Sequence, residues 1–193
     1  MAEGVNKVKL KLPPKSGTGT VTETVTERAD HFIRGNILVT VVIVIAIICI
    51  FAIWLIGSQR GDSIFSGLRV PIGFPRYVIR NIFTTFAIIM LTIGVIFSFK
   101  NTKDFDNTII IVMYILFLGL VIGLESNIQN REDWDGAALT APIMLLALAF
   151  IVFFTWKNAL WTRVLLLLSV IWFIFLTLEV LALKSMNGSK NSQ

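Results

Sequence analysis

The chain has 193 residues, 55% of them hydrophobic and 15% charged, with a formal net charge of +5. That is too little charge for a water-soluble domain, which carries about a quarter charged residues. One cysteine, Cys49, and one histidine, His31, exclude an intramolecular disulfide and leave no cluster for a soft metal.

The first segment, 1–35, is polar and basic, and begins "MAEGVNKVKLKLPPK". Val8, Leu10 and Leu12 alternate with lysines before Pro13 and Pro14 stop any regular element. A disordered tail is expected, with electrostatic attachment to anionic lipid as the alternative. The apolar run that follows is too long for a signal-peptide core and has no small-residue cleavage site after it, so it is expected to stay in the chain.

Five apolar runs then reach the ~17–25 residues that a membrane-spanning helix needs. They are Asn36 to Gly57, Asn81 to Phe99 (entered from Val78), Thr108 to Leu124, Gly136 to Trp156, and Val164 to Leu183. Their continuity argues against a β-barrel, whose strands alternate in polarity. The expected fold is therefore all-α: a polytopic membrane protein with a five-helix transmembrane bundle over 36–186, a lid loop over 58–77, and a polar C-terminal tail over 187–193. Lys and Arg in the short connections lean weakly toward an N-terminus inside.

In lipid, helices meet through close packing, so small residues mark contact faces. The first helix, nearly all β-branched, reads as lipid-facing. In the second, Thr84, Ala87, Leu91, Gly94 and Ser98 line one stripe at 3-4 spacing. The third contains Gly119 and Gly123 in "GLVIG", read either as packing inside the bundle or as a homodimer face. The fourth carries Gly136, Ala137, Thr140, Ala141 and Ala147.

Glu179 is an acid inside the fifth apolar run, on the same helical face as Ser169, Trp172, Phe175 and Leu176. An intramembrane carboxyl needs a proton, a partner or a way out to the interface. Either it faces the bundle as part of a pocket wall, or it reaches the headgroups beside Lys184. The acidic connection "ESNIQNREDWDG" lies on the same side as the basic loop Ser58 to Tyr77. The two are expected to clamp that end of the bundle, with Trp134 as an interfacial anchor.

The lid loop "SIFSGLRVPIGFPRYV" is stiffened by Pro71 and Pro75 and leads through Tyr77 into a helix that offers Phe83, Thr84 and Phe86 early in its length. This stretch resembles the TspO/MBR family of translocator, or peripheral-type benzodiazepine receptor, proteins. Ile64-Phe65 stands where that family has Trp-Tyr, Leu68 and Pro71 keep their spacing, and Pro75, Tyr77 and Val78 fit P-x-W-V with one residue fewer. Phe83-Thr84 fits W-T, Met90 fits the family Met, and Trp172 fits the central Trp of the fifth helix. Phe74, Ala87 and Leu91 depart from the pattern, as does Leu168-Ser169 in place of Pro-Tyr.

The resemblance implies a divergent member that binds, or binds and transports, a flat hydrophobic ligand such as a sterol or a porphyrin, haem included. The implied ligand site is Pro71, Pro75, Tyr77, Phe83, Thr84, Phe86, Trp172 and Glu179. No cofactor is expected to be required. There is no Gly-rich phosphate loop, no Ser/His/Asp set and no basic-aromatic nucleic-acid surface. No catalytic residues, no metal site and no nucleic-acid partner are therefore expected. The expected partners are membrane lipid, a hydrophobic small molecule and, through Gly119 and Gly123, a second copy of the chain. The alternative function is a structural or assembly membrane protein that binds other subunits through its helix faces.

Overall fold

The structure, a computed structural model, describes residues 18–60, 77–99, 104–129 and 133–187, and the side chains of 36–58, 78–99, 106–129 and 133–187. Five helices account for these: α1 (Thr18–Arg60), α2 (Tyr77–Ser98), α3 (Asp104–Gln129), α4 (Trp134–Thr155) and α5 (Leu160–Asn187). Each contains a stretch long and apolar enough to cross a membrane. The shortest helices, at 22 residues, extend about 33 Å, enough for a hydrocarbon core of about 30 Å. The chain is a multi-pass integral membrane protein.

The helices extend beyond the apolar runs, α5 for instance by about one turn at each end, and two boundaries bear on the reading. The α1 helix begins at Thr18, within the segment expected to be a disordered tail. An apolar helix, once nucleated, gains one hydrogen bond for each residue added, so it propagates into polar sequence. Residues 18–37 belong to a separate unit from Leu38–Gln193. The α3 helix runs on to Gln129, so Glu125 lies in a helix rather than in the acidic connection.

Within the second unit, α3 packs on α4, α4 on α5 and α5 on α2. The α2–α5 pair runs antiparallel and in step. Trp172 Nε1 donates to Thr84 Oγ1 at 3.1 Å, and Ser169 Oγ donates to the Ala87 carbonyl at 3.0 Å. At Gly94 an added Cβ would stand 3.0 Å from Leu166 Cδ2, so α2 approaches α5 closely there. All five residues of the predicted α2 stripe are buried.

Long side chains cross the bundle between α3 and its neighbours. Thr92 and Tyr114 share a hydrogen bond at 2.6 Å, and Phe117 meets Phe173 edge to face with ring centroids 4.8 Å apart. The α1 helix is the least enclosed, with 22% of its membrane window buried. Its lipid-facing character holds except for one stripe, Val42, Ala46, Cys49 and Ile53. That stripe brings Cys49 Sγ within 3.7 Å of the Leu118 carbonyl, while Trp54 Nε1 donates to Thr85 Oγ1 at 3.0 Å.

The start of α4 explains Trp134. Asp133 caps the helix by accepting from Gly136 N–H at 2.9 Å. Trp134, expected as an interfacial anchor, is buried in the first turn of α4. Nearby, Lys184 of α5 pairs with Asp135 of α4 at 2.9 Å, which joins the ends of two helices.

Candidate functional site

One end of the bundle holds a buried charged cluster. Arg80, in the first turn of α2, forms an ion pair with Glu125 of α3, and both side chains are 1% exposed. One turn further along α3, Gln129 Nε2 donates to the same Glu125 oxygen at 2.9 Å. Asn81, next to Arg80, is fully buried. Glu179 of α5 is 6% exposed, and neither of its carboxyl oxygens has a hydrogen-bond partner among the described residues. Arg80 and Glu125 are the charged groups acting on it.

The helices explain why these groups meet. Arg80 lies one turn before Thr84, so it continues the buried stripe of α2 toward the helix start. On α3, the buried residues Tyr114, Leu118, Val121, Glu125 and Ile128 follow the same 3-4 spacing. Two acids and one guanidinium then share a space closed to solvent within this chain. A buried ion pair is costly unless its geometry is good. An acid left without a hydrogen bond adds a further penalty, so packing alone gives no reason to keep it there.

Next to the cluster is an aromatic wall. Phe83 stacks on Trp172 with ring centroids 5.1 Å apart, and Trp172 stacks on Phe175 at 5.3 Å. The Trp172–Thr84 hydrogen bond fixes the middle ring. Glu179 is one helical turn beyond Phe175 on α5, and Arg80 one turn before Thr84 on α2. The charged groups and the aromatic rings therefore occupy consecutive turns of the same seam.

Of the residues predicted from sequence, the structure brings together Phe83, Thr84 and Trp172, while Glu179 lies about two helical turns beyond Trp172 on α5. Phe86 is 53% exposed and makes no ring contact with the stack, and Phe83, stacked on Trp172, is itself 50% exposed, so the stack lies on the outer surface of the α2–α5 pair. Tyr77 opens α2. Pro71, Pro75 and the rest of the lid loop from residue 61 lie outside the described residues, as does the C-terminal tail from residue 188. Glu179 does not extend past the protein toward the headgroups, and Lys184, its expected neighbour there, pairs with Asp135 instead. At Gly119 and Gly123 no atom of the described residues lies within 4 Å of an added Cβ.

Arg80 and Glu125 are the residues that sequence reasoning missed. Glu125 falls in the expected acidic connection and Arg80 just past the expected basic loop, while the basic half of the expected clamp, Ser58 to Tyr77, lies almost wholly outside the residues whose side chains are described. Glu179 is accordingly not the sole buried ionisable group. Extending the 3-4 stripes by one turn on α2 and α3 would have found both.

A second feature lies at the other end, where α3 starts and α4 ends. A groove of about 910 Å³ runs between α4 and α5, and none of the predicted ligand residues lines it. No protein-family model matches the chain, and no curated protein and no solved structure matches it significantly.

Proposed function

We propose that this membrane protein binds an amphipathic ligand with a flat hydrophobic body at the α2–α5 mouth, in the manner of the TspO/MBR proteins its lid loop and second helix resemble. The observation that carries the reading is the Glu179 carboxyl, buried and without a hydrogen bond, beside the Arg80–Glu125 pair and one turn from the Phe83–Trp172–Phe175 stack. A mostly apolar site with a few convergent polar groups is the usual form of a small-molecule site. Arg80 suits an anionic substituent, and the stacked rings suit a planar body. A tetrapyrrole carries both features, and a sterol offers the flat body with a neutral hydroxyl. Movement of such a ligand across the membrane would begin from this mouth.

The test is fluorescence titration of the full chain in mild detergent with protoporphyrin and with cholesterol, read by tryptophan quenching. Protoporphyrin should quench saturably, and Trp172→Phe should remove most of the saturable signal. Quenching that is linear for both ligands, and unchanged in Trp172→Phe, would reject the site. It would favour the alternative of an assembly protein that works through its helix faces.

A further inference from the structure

From the groove between α4 and α5 we infer a separate site that holds one zwitterionic phospholipid. Its walls are apolar, with Leu145, Ala149 and Phe153 on α4 and Leu167 and Ile174 on α5, and Ala149 is the smallest of them. From Thr155 back to Leu145 it descends about 15 Å, half of a hydrocarbon core of about 30 Å. It is one leaflet deep, the span of an acyl chain that enters from the headgroup level. Its volume of about 910 Å³ is at the upper end for a small-ligand pocket.

The rim identifies the headgroup. Asp106 from α3 and Lys157 from the α4–α5 turn both line the groove. They do not pair with each other, and neither has a hydrogen bond or ion pair among the described residues. An unpaired carboxylate and an unpaired ammonium at one opening match a phosphate at Lys157 and a lipid ammonium at Asp106. Tryptophans set the depth. Trp156 lines the rim, with the Arg163 guanidinium 5.4 Å from its ring centre, and Trp161 beyond it is 77% exposed. Tryptophans placed this way mark the headgroup boundary. The site lies at the opposite end of the bundle from Arg80, Glu125 and Glu179, and does not depend on the reading proposed for them.

Native mass spectrometry of the full chain, delipidated in detergent and titrated with dioleoyl phosphatidylethanolamine or dioleoyl phosphatidylglycerol, tests the inference. Wild type should take up one phosphatidylethanolamine per chain, about fivefold more tightly than phosphatidylglycerol, whose phosphate has no ammonium beside it. Asp106→Asn should abolish that preference, and Lys157→Gln should weaken both lipids. Ala149→Trp should fill the groove and remove the bound copy while helix content by circular dichroism stays as in wild type. Equal affinity of wild type for the two lipids overturns the headgroup assignment. Uptake of phosphatidylethanolamine by Lys157→Gln and Asp106→Asn indistinguishable from wild type overturns the site, and does so even where Ala149→Trp fails to fold.

Discussion

The two ends of the bundle treat buried polar groups differently. Toward the start of α3 and the end of α4, the buried polar groups are mostly hydroxyls that return a hydrogen bond to their own helix. Thr92 donates to the Ile88 carbonyl, Ser98 to Val95 and Thr155 to Ile151, each at 2.6 Å. Such groups are neutral, satisfied locally and inexpensive in lipid. The exceptions at that end are Asn107, in the first turn of α3, and Asn158, which sits in the turn between helices rather than within one. At the other end the buried groups include three ionisable ones, Arg80, Glu125 and Glu179, which come from three different helices, and Glu179 is left without a hydrogen bond among the described residues. Hydroxyls that close on their own turn serve packing. A charge cluster with one acid in excess needs another reason to persist, and a ligand site provides one.

The largest expected effect comes from breaking the charged end. Arg80→Met leaves two acids buried without their cation and should cost about 3–5 kcal/mol of stability, read as a large fall in the thermal midpoint in detergent. Arg80→Met combined with Glu125→Met removes the pair together and should recover most of that loss. A double variant as unstable as the single one would mean that the pair is valued for something other than mutual neutralisation. The seam next to it is sensitive to volume. Gly94→Val forces atoms into the Leu166 side chain and should cost about 1–3 kcal/mol, with the loss visible in thermal unfolding. Smaller again, Ser169→Ala deletes the hydrogen bond to the Ala87 carbonyl while Ala87 keeps its place in the helix, a loss of about 0.5–1 kcal/mol. Least of all, Gly119→Leu with Gly123→Leu should leave monomer stability within about 0.5 kcal/mol, because nothing described in this chain lies over either glycine. Size-exclusion chromatography of that variant shows whether a second copy uses the face.

The sequence showed the helices and the α2–α5 seam because both follow from periodicity. Five apolar runs set the spans, and the small residues at 3-4 spacing in α2 are the ones that meet α5. It located Glu179 but left its direction open, since a carboxyl four residues from the end of an apolar run can turn inward or outward. The direction depends on Arg80, whose buried position is set by α3 and α5 and not by its neighbours in sequence. Arg80 stands just before the apolar run that starts at Asn81 and Glu125 just after the one that ends at Leu124, so neither falls within the apolar runs themselves. The helices continue past the apolar runs because a polar residue facing a satisfied interior does not end a helix. Only the stripe, and not hydropathy, carried that information. The α4–α5 groove had no sequence signal, since its walls are ordinary lipid-compatible residues and its rim charges are far apart in sequence.

The central claim is that Arg80 holds the polar end of a ligand and that Glu179, beside it, tunes that hold. The most direct measurement is protoporphyrin affinity from about pH 5 to pH 8 for wild type and Glu179→Gln, at constant ionic strength. The charged groups facing Glu179 are Arg80 on α2 and Glu125 on α3. An anionic ligand held by Arg80 is repelled by Glu179 once that carboxyl ionises. Wild-type affinity should therefore fall as pH rises, while Glu179→Gln, which keeps the shape and loses the charge, should bind with a flat profile at the low-pH strength of wild type. Superimposable profiles for the two proteins would contradict the account.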